Sequence, residues 1–220
     1  MIELKGLSKT YAVSGKIIKA VQPLDLTIQQ GEFVSIVGHS GSGKSTFLSL
    51  IGGIARPDTG TVNIDGTNIW GYNDKMLSKL RNEKFGFVYQ FASLIPTLNA
   101  TENVLLPTVF GGGRKAADAA NLLDLVGLGD KKDRYPSELS GGEQQRVAIA
   151  RAFIHNPEII LADEPTGDLD EDTEAEIMNF FEKINRGKKV TMIMVTHSSE
   201  IALRAPSRFR MKQGVIEQLN

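Results

Sequence analysis

Polar and apolar residues alternate along "PLDLTIQQGEFVSIVG", so that Leu24, Leu26 and Ile28 share one face; the chain turns at Gly31, and "FVSIV" runs on as a compact apolar strand ending at Gly38. A two-residue period of this kind predicts strands. A second hairpin reads at "GTVNIDGTNIW", with Asp65 and Gly66 as its two-residue turn. The first third is therefore expected to be β-rich, with one helix after Lys44. From about 92 to 139 the period lengthens: "TENVLLP" and "RKAADAANLLDLVGL" have helical spacing, the latter placing Leu122, Leu123 and Val126 on one face, with glycines 111 to 113 between them. This predicts a helical insertion. Beyond it the spacing predicts a helix from about 143 to 154, a buried strand at 159–162 and a helix at 171–185 carrying Ile177, Phe180, Phe181 and Ile184. A strand at 190–195 and a short βαβ-like tail follow. Strands alternating with helices imply an α/β fold with a mostly parallel sheet covered on both sides.

Composition narrows the partners. The 220 residues suffice for one large α/β domain, and cysteine is absent, which removes disulfides and thiolate metal sites. The 25 Lys and Arg nearly cancel the 26 Asp and Glu, so nucleic acid is not expected as a partner held by bulk charge. The apolar runs Phe33 to Val37 and Ile159 to Ala162 fall far short of the ~20 residues of a membrane span. "MIELKGLSKTY" lacks the layout of a signal peptide. A soluble, cytosolic chain is expected, with any membrane role coming through another chain.

Three motifs carry chemistry. "GHSGSGKS" matches G-x-x-x-x-G-K-[ST] through Gly38, Gly43, Lys44 and Ser45, and it lies between a buried strand and a helix. There, backbone N–H groups and the helix N-terminus can hold phosphates, Lys44 the outer ones, while the Ser45 hydroxyl reaches Mg²⁺. "IILADE" sets Asp163 and Glu164 at the carboxyl end of an apolar strand, where open parallel sheets present ligands. Asp163 would hold the magnesium shell and Glu164 would orient or deprotonate the attacking water. In "LSGGEQQR", Ser140 and Glu143 have the spacing of a capping box. A cap needs no glycine pair, however, whereas bare N–H groups at a helix's positive end suit a phosphate. Since Gly38 to Ser45 already cradle one nucleotide, the second phosphate site points at the nucleotide of another copy.

The order of P-loop, "VYQ" with Gln90, "LSGGEQQR", "ILADEP", "GDLD" and "VTH" with His197 resembles the nucleotide-binding subunits of ABC transporters over essentially the whole chain. The resemblance implies a P-loop NTPase with an antiparallel β subdomain and a helical subdomain. Residues 1–90 and 157–220 would form the core with the β subdomain, and 91–156 the helical part. It implies ATP and Mg²⁺ as cofactors and a head-to-tail homodimer with two sandwiched ATPs. Around one ATP would stand Tyr11 against adenine, the loop residues Gly38, His39, Ser40, Gly41, Ser42, Gly43, Lys44, Ser45 and Thr46, and Gln90. In trans would come Ser140, Gly141, Gly142 and Glu143. Glu164, His197 and Lys44 would be catalytic; Ser45, Gln90 and Asp163 would hold the metal; and Asp168 and Asp170 would couple the two sites.

Within the family, "IGGIARPDTGTV", "FASLIPTLNATENVLLP" and "ADEPTGDLD" look like the lipoprotein-releasing (LolD), macrolide-exporting (MacB) and cell-division (FtsE) group. The resemblance implies an integral membrane permease as partner and a peripheral, cytoplasmic-face location. That group usually has Asn at Asp168 and commonly Pro at His39. Phe91 to Pro107 is the expected docking segment, although Leu94, Ile95 and Leu98 could equally be core. Trp70 and Tyr72 read as subdomain packing, and His155 as structural or surface. A DNA-repair or ribosome-acting ATPase would share the P-loop and signature but carry a long coiled coil or a second cassette. A monomeric P-loop kinase or GTPase would leave "LSGGEQQR" unexplained.

Overall fold

A computed structural model describes residues 1–110, 116–167 and 169–219. Its centre is a six-stranded sheet built from β3 (Phe33–Val37), β6 (Phe85–Val88), β7 (Ile159–Asp163), β8 (Thr191–Thr196), β9 (Ser207–Lys212) and β10 (Val215–Leu219). The order is β10-β9-β3-β8-β7-β6, parallel throughout except for the β9–β10 hairpin at one edge. A separate antiparallel sheet joins β1 (Ile2–Val13), β2 (Lys16–Ile28), β4 (Thr59–Ile64) and β5 (Thr67–Asn68) in the order β2-β1-β4-β5.

Alternate residues of the central strands serve different cores, as period-two geometry requires of a sheet covered on both faces. Leu161, Ile193 and Val195 pack with Phe47, Leu50 and Ile51 of α1 (Lys44–Ile51) and with Ile2, Leu4 and Val62 of the antiparallel sheet. Ile160, Met192 and Met194 join the second core. It includes Val104 of α3 (Ala100–Leu105), Leu123 of α4 (Ala116–Leu125), Val147 and Ile149 of α5 (Gly141–Ala152), and Met178 and Phe181 of α6 (Glu171–Lys188). Burial of a side chain such as Phe181 contributes about 1.5–3 kcal/mol.

Several expectations need correction. β2 and β3 do not close a hairpin at Gly31: they belong to different sheets, β2 pairing with β1 and β3 with β8 and β9. Alternation places a residue on a face but does not choose the strand's partner. The segment Asp74–Lys84, not anticipated, is helix α2, capped by the Asn73 side chain accepting from Met76 N–H at 2.9 Å. The helix expected from about 143 begins at Gly141, because Ser140 serves as its cap. The tail is a short helix α7 (Ser199–Ala202) followed by the β9–β10 hairpin rather than a βαβ unit. The Asp65–Gly66 turn is present, with φ of 50° and 80°, as a type I′ turn needs. Glycines 111 to 113, expected between two helices, lie outside the described residues.

Candidate functional site

Three strand ends meet at one edge of the parallel sheet. The loop after β3 carries residues 38 to 43, β7 delivers Asp163 and Glu164, and β8 delivers His197. Residues from all three, together with Tyr11 and Gln90, line a cleft of about 1050 Å³.

The loop's glycines are required by contact as well as by conformation. A Cβ at Gly38 would stand 2.3 Å from the Met211 carbonyl oxygen, and one at Gly43, whose φ is 108°, would stand 1.9 Å from that of Ala20. Ser42 accepts a backbone bond from Gly214 N–H at 2.9 Å, so the β9–β10 turn braces the loop from behind. His39, Ser40, Gly41, Lys44, Ser45 and Thr46 face the cleft, whereas Gly38 and Ser42 back it. Gly43 caps α1 without a side chain, leaving the first N–H groups of the helix to an anion. Lys44 Nζ donates to the Gly38 and His39 carbonyls at 2.6 and 3.2 Å and lies 3.5 Å from Glu164 Oε1.

Burial raises the Asp163 carboxyl above the usual range, and a hydrogen bond from Ser45 opposes that shift. This carboxylate–hydroxyl pair, open to the cleft, suits Mg²⁺, a hard cation commonly bound through one or two carboxylates with phosphates and water completing the shell. Gln90 lines the same cleft and could add an amide oxygen. Glu164 adopts the left-handed region at φ 47°, a conformation that costs a non-glycine residue on the order of 1–3 kcal/mol. It is held there by Glu164 N–H donating to the Val195 carbonyl at 2.9 Å. Its Oε2 accepts from His197 N–H at 3.0 Å and lies 2.9 Å from His197 Nδ1. A carboxylate can only accept, so Nδ1 carries the proton and Nε2 is left for another partner.

Tyr11 sits at the cleft's other end beside Ile18 and Ala20, with Lys9 Nζ 5.4 Å from its ring centroid. The signature lies elsewhere: Ser140, Gly141, Gly142 and Glu143 are not among the residues lining this cleft. Ser140 and Glu143 form a reciprocal capping box, Glu143 N–H donating to Ser140 Oγ at 3.3 Å and Ser140 N–H to Glu143 Oε2 at 2.8 Å. Lys131 pairs with Glu143 and, with the cap, holds its carboxyl below the usual range. A Cβ at Gly142 would meet Thr173 Cγ2 at 2.9 Å, whereas one at Gly141 would meet nothing within 4 Å. Asp170 caps α6, accepting from Thr173 N–H at 3.0 Å and its hydroxyl at 2.8 Å. Asp168, the other coupling candidate, lies outside the described residues.

The motif reading missed Gln145 and Arg151, both on α5. Gln145 is buried and bonds to the Tyr89 and Pro165 carbonyls, and Arg151 bonds to those of Ala92 and Ser93. The available signal was a polar residue on the apolar stripe of a helix.

A parallel sheet whose strand ends gather a bare-amide loop, a lysine, a half-buried aspartate and an oriented glutamate defines a P-loop nucleoside triphosphatase. Residues 21–167 match the ABC transporter family. The chain is 46% identical over 205 residues to the uncharacterized ABC transporter ATP-binding protein YknY of Bacillus subtilis, covering 92% of this chain and 89% of that one. It is 42% identical over 219 residues to the lipoprotein-releasing system ATP-binding protein LolD of Syntrophus aciditrophicus, covering 98% of each. With the macrolide export ATP-binding/permease protein MacB of Rhodopirellula baltica it shares 40% identity over 223 residues, 99% of this chain but 33% of that longer one. The chain thus spans about a third of the length of that relative. The dimeric post-hydrolysis state of the ATP-binding cassette MJ0796, bound to ADP and Pi, superposes with a TM-score of 0.92 at 42% identity, covering 100% of this chain and 99% of that one. The chain belongs to the ABC transporter family, as an ATP-binding and ATP-hydrolysing cassette.

Proposed function

We propose that two copies of this chain close head to tail around two ATP molecules, and that closing and opening drive a separate membrane permease. The observation that carries this reading is the open N-terminus of α5. Gly141 has no neighbour that its missing side chain would strike, and the end of the helix lies apart from the chain's own phosphate loop. The capping box satisfies the Ser140 and Glu143 N–H groups; those of Gly141 and Gly142, left over at the helix's positive end, fit a γ-phosphate brought by another copy.

ATP binds to the loop from Gly38 to Thr46, with adenine against Tyr11 and Lys44 leaving the Gly38 and His39 carbonyls for the outer phosphates. Mg²⁺, held by Ser45, Asp163 and Gln90, would offset phosphate charge. Glu164 accepts a proton from the attacking water, and His197 faces the γ-phosphate through its free Nε2. Ser140, Gly141 and Gly142 of the second copy complete the pocket, while Glu143 shapes their helix end; Asp170, with Asp168, links the two sites. Bound phosphate charge holds the two faces together, and its release lets them part.

No helix of the described residues is long and apolar enough to cross a membrane. A groove of about 600 Å³ lies between the sheet and the helical part, lined by Ile54, Phe87, Tyr89, Leu106 and Arg151. Tyr89 lines both this groove and the nucleotide cleft. Beside it runs Phe91 to Pro107, where Phe91 is 71% and Ile95 40% exposed while Leu94 packs on the core. The permease's cytoplasmic helices dock there, which places the chain on the cytoplasmic face of the membrane. The relatives named for lipoprotein release and macrolide export favour a permease of that type or of the related cell-division type. Ile54→Glu with Ile95→Glu is expected to abolish permease stimulation and leave basal turnover intact; stimulation that survives both charges contradicts this docking site.

Sedimentation of Glu164→Gln tests the pairing. A monomer without nucleotide should become a dimer with saturating ATP and Mg²⁺. A monomer under both conditions would contradict the reading.

A further inference from the structure

α5 starts at the signature and runs beneath both segments that carry the hydrolytic groups. Gln145, in its second turn, is 2% exposed, beside buried Val147, Ala148 and Ile149. Its Nε2 donates to the Tyr89 carbonyl at 2.8 Å and to the Pro165 carbonyl at 3.0 Å. The two acceptors fix the orientation of the amide, since the flipped form would set its oxygen against both carbonyls. Tyr89 immediately precedes Gln90, and Pro165 immediately follows Glu164. One buried side chain thus bridges the neighbours of the proposed metal ligand and of the proposed base.

The far end of α5 is tied to the same segment. Arg151 donates from Nη2 to the Ala92 carbonyl at 2.7 Å and from Nη1 to that of Ser93 at 2.9 Å. Burial lowers the Arg151 pKa, so the cation is held here at some cost. Ser93 itself stands at φ 46°. A buried amide is costly unless both of its hydrogens find partners. An apolar residue would fill the space but would leave the two carbonyls unpaired and the two segments untied.

We propose that Gln145 is a positioning residue for ATP hydrolysis. It fixes Gln90 and Glu164 in one frame with the helix whose N-terminus meets the second copy's nucleotide, and Arg151 secures the far end of that frame. A second copy's nucleotide that engages the N-terminus of α5 would therefore act on the metal ligand and the base together. The inference rests on the reading of Gln90 and Glu164 given above.

The test compares Gln145→Met, which keeps the length of the side chain and removes its donors, with Glu164→Gln and wild type. Removing such a supporting bond is expected to lower kcat about 10- to 100-fold and to raise the Mg²⁺ concentration for half-maximal rate. ATP affinity should stay within about twofold, since the phosphate loop and Tyr11 are untouched. A folded Gln145→Met with wild-type kcat and Mg²⁺ dependence overturns the proposal. If Gln145→Met does not fold, Arg151→Met and Arg151→Lys decide: loss in the first with partial recovery in the second supports the frame, and normal kcat in both overturns it. Turnover retained in Glu164→Gln would instead overturn the underlying site reading. Glu164→Gln inactive beside a fully active Gln145→Met would sink this inference alone.

Discussion

Glu164 and His197 are joined twice: Glu164 Oε2 receives the His197 backbone N–H at 3.0 Å and stands 2.9 Å from the ring Nδ1. The carboxylate is thereby aimed into the cleft from a left-handed backbone position that other residues must hold in place. Glu164→Gln keeps shape and hydrogen bonding but loses basicity, so kcat should fall by ~10²-fold or more with ATP still bound. Steady-state turnover beside equilibrium ATP binding checks this. Near-normal turnover would remove Glu164 from the role of base.

The two signature glycines should respond differently to a methyl group. Gly142→Ala meets Thr173 Cγ2, and an overpacked contact of this kind is expected to cost about 1–3 kcal/mol. Adding Thr173→Ser, which removes that methyl, should restore most of the loss. Gly141→Ala meets open space and should leave stability equal or raise it by ~0.4–1 kcal/mol, while lowering turnover by crowding the phosphate of the second copy. Chemical denaturation with ATPase assays separates the two. Full activity in Gly141→Ala would argue that its bare face serves no ligand.

Acid should loosen the edge that carries Tyr11. Asp58 takes bonds from Lys9 Nζ at 2.9 Å, Thr10 N–H at 2.6 Å and the Thr10 hydroxyl at 2.7 Å, and these hold its pKa down to about 2 from 3.8. The folded pKa lies below the unfolded one, so the carboxylate's stabilising contribution is present above the unfolded value. It is lost as pH falls from about 4 towards about 2. Asp58→Asn should therefore flatten the decline in stability across that window. It should also weaken ATP binding at neutral pH, because Thr10 adjoins Tyr11. Thermal unfolding between pH 2 and 6 and nucleotide titration are the measurements; an unaltered acid limb would show that this carboxylate contributes nothing there.

Much of this site is legible in the amino-acid sequence. The loop from Gly38 to Thr46, Asp163, Glu164 and His197 fall on one cleft because strand ends in a parallel sheet converge, and their motifs mark those ends. Ser140's cap was legible from its spacing to Glu143. Gly31 misled because β2 and β3 alternate alike whether they pair together or enter separate sheets. Helix α2 escaped because only Leu77 of its residues is buried, which leaves little periodicity to read. Gln145 stands out only as a polar residue on an apolar stripe; its partners are the backbone carbonyls of Tyr89 and Pro165, which have no signature in the amino-acid code.

The central claim, a reaction chamber shared by two copies, is tested most directly by complementation. Lys44→Ala disables the loop of one copy and Ser140→Arg the helix end of the other, so each variant alone should be inactive. A mixed dimer retains one intact pairing, and the equimolar mixture should regain a substantial part of wild-type turnover. Folded variants that stay inactive when mixed, at concentrations where wild type is fully active, would contradict the account.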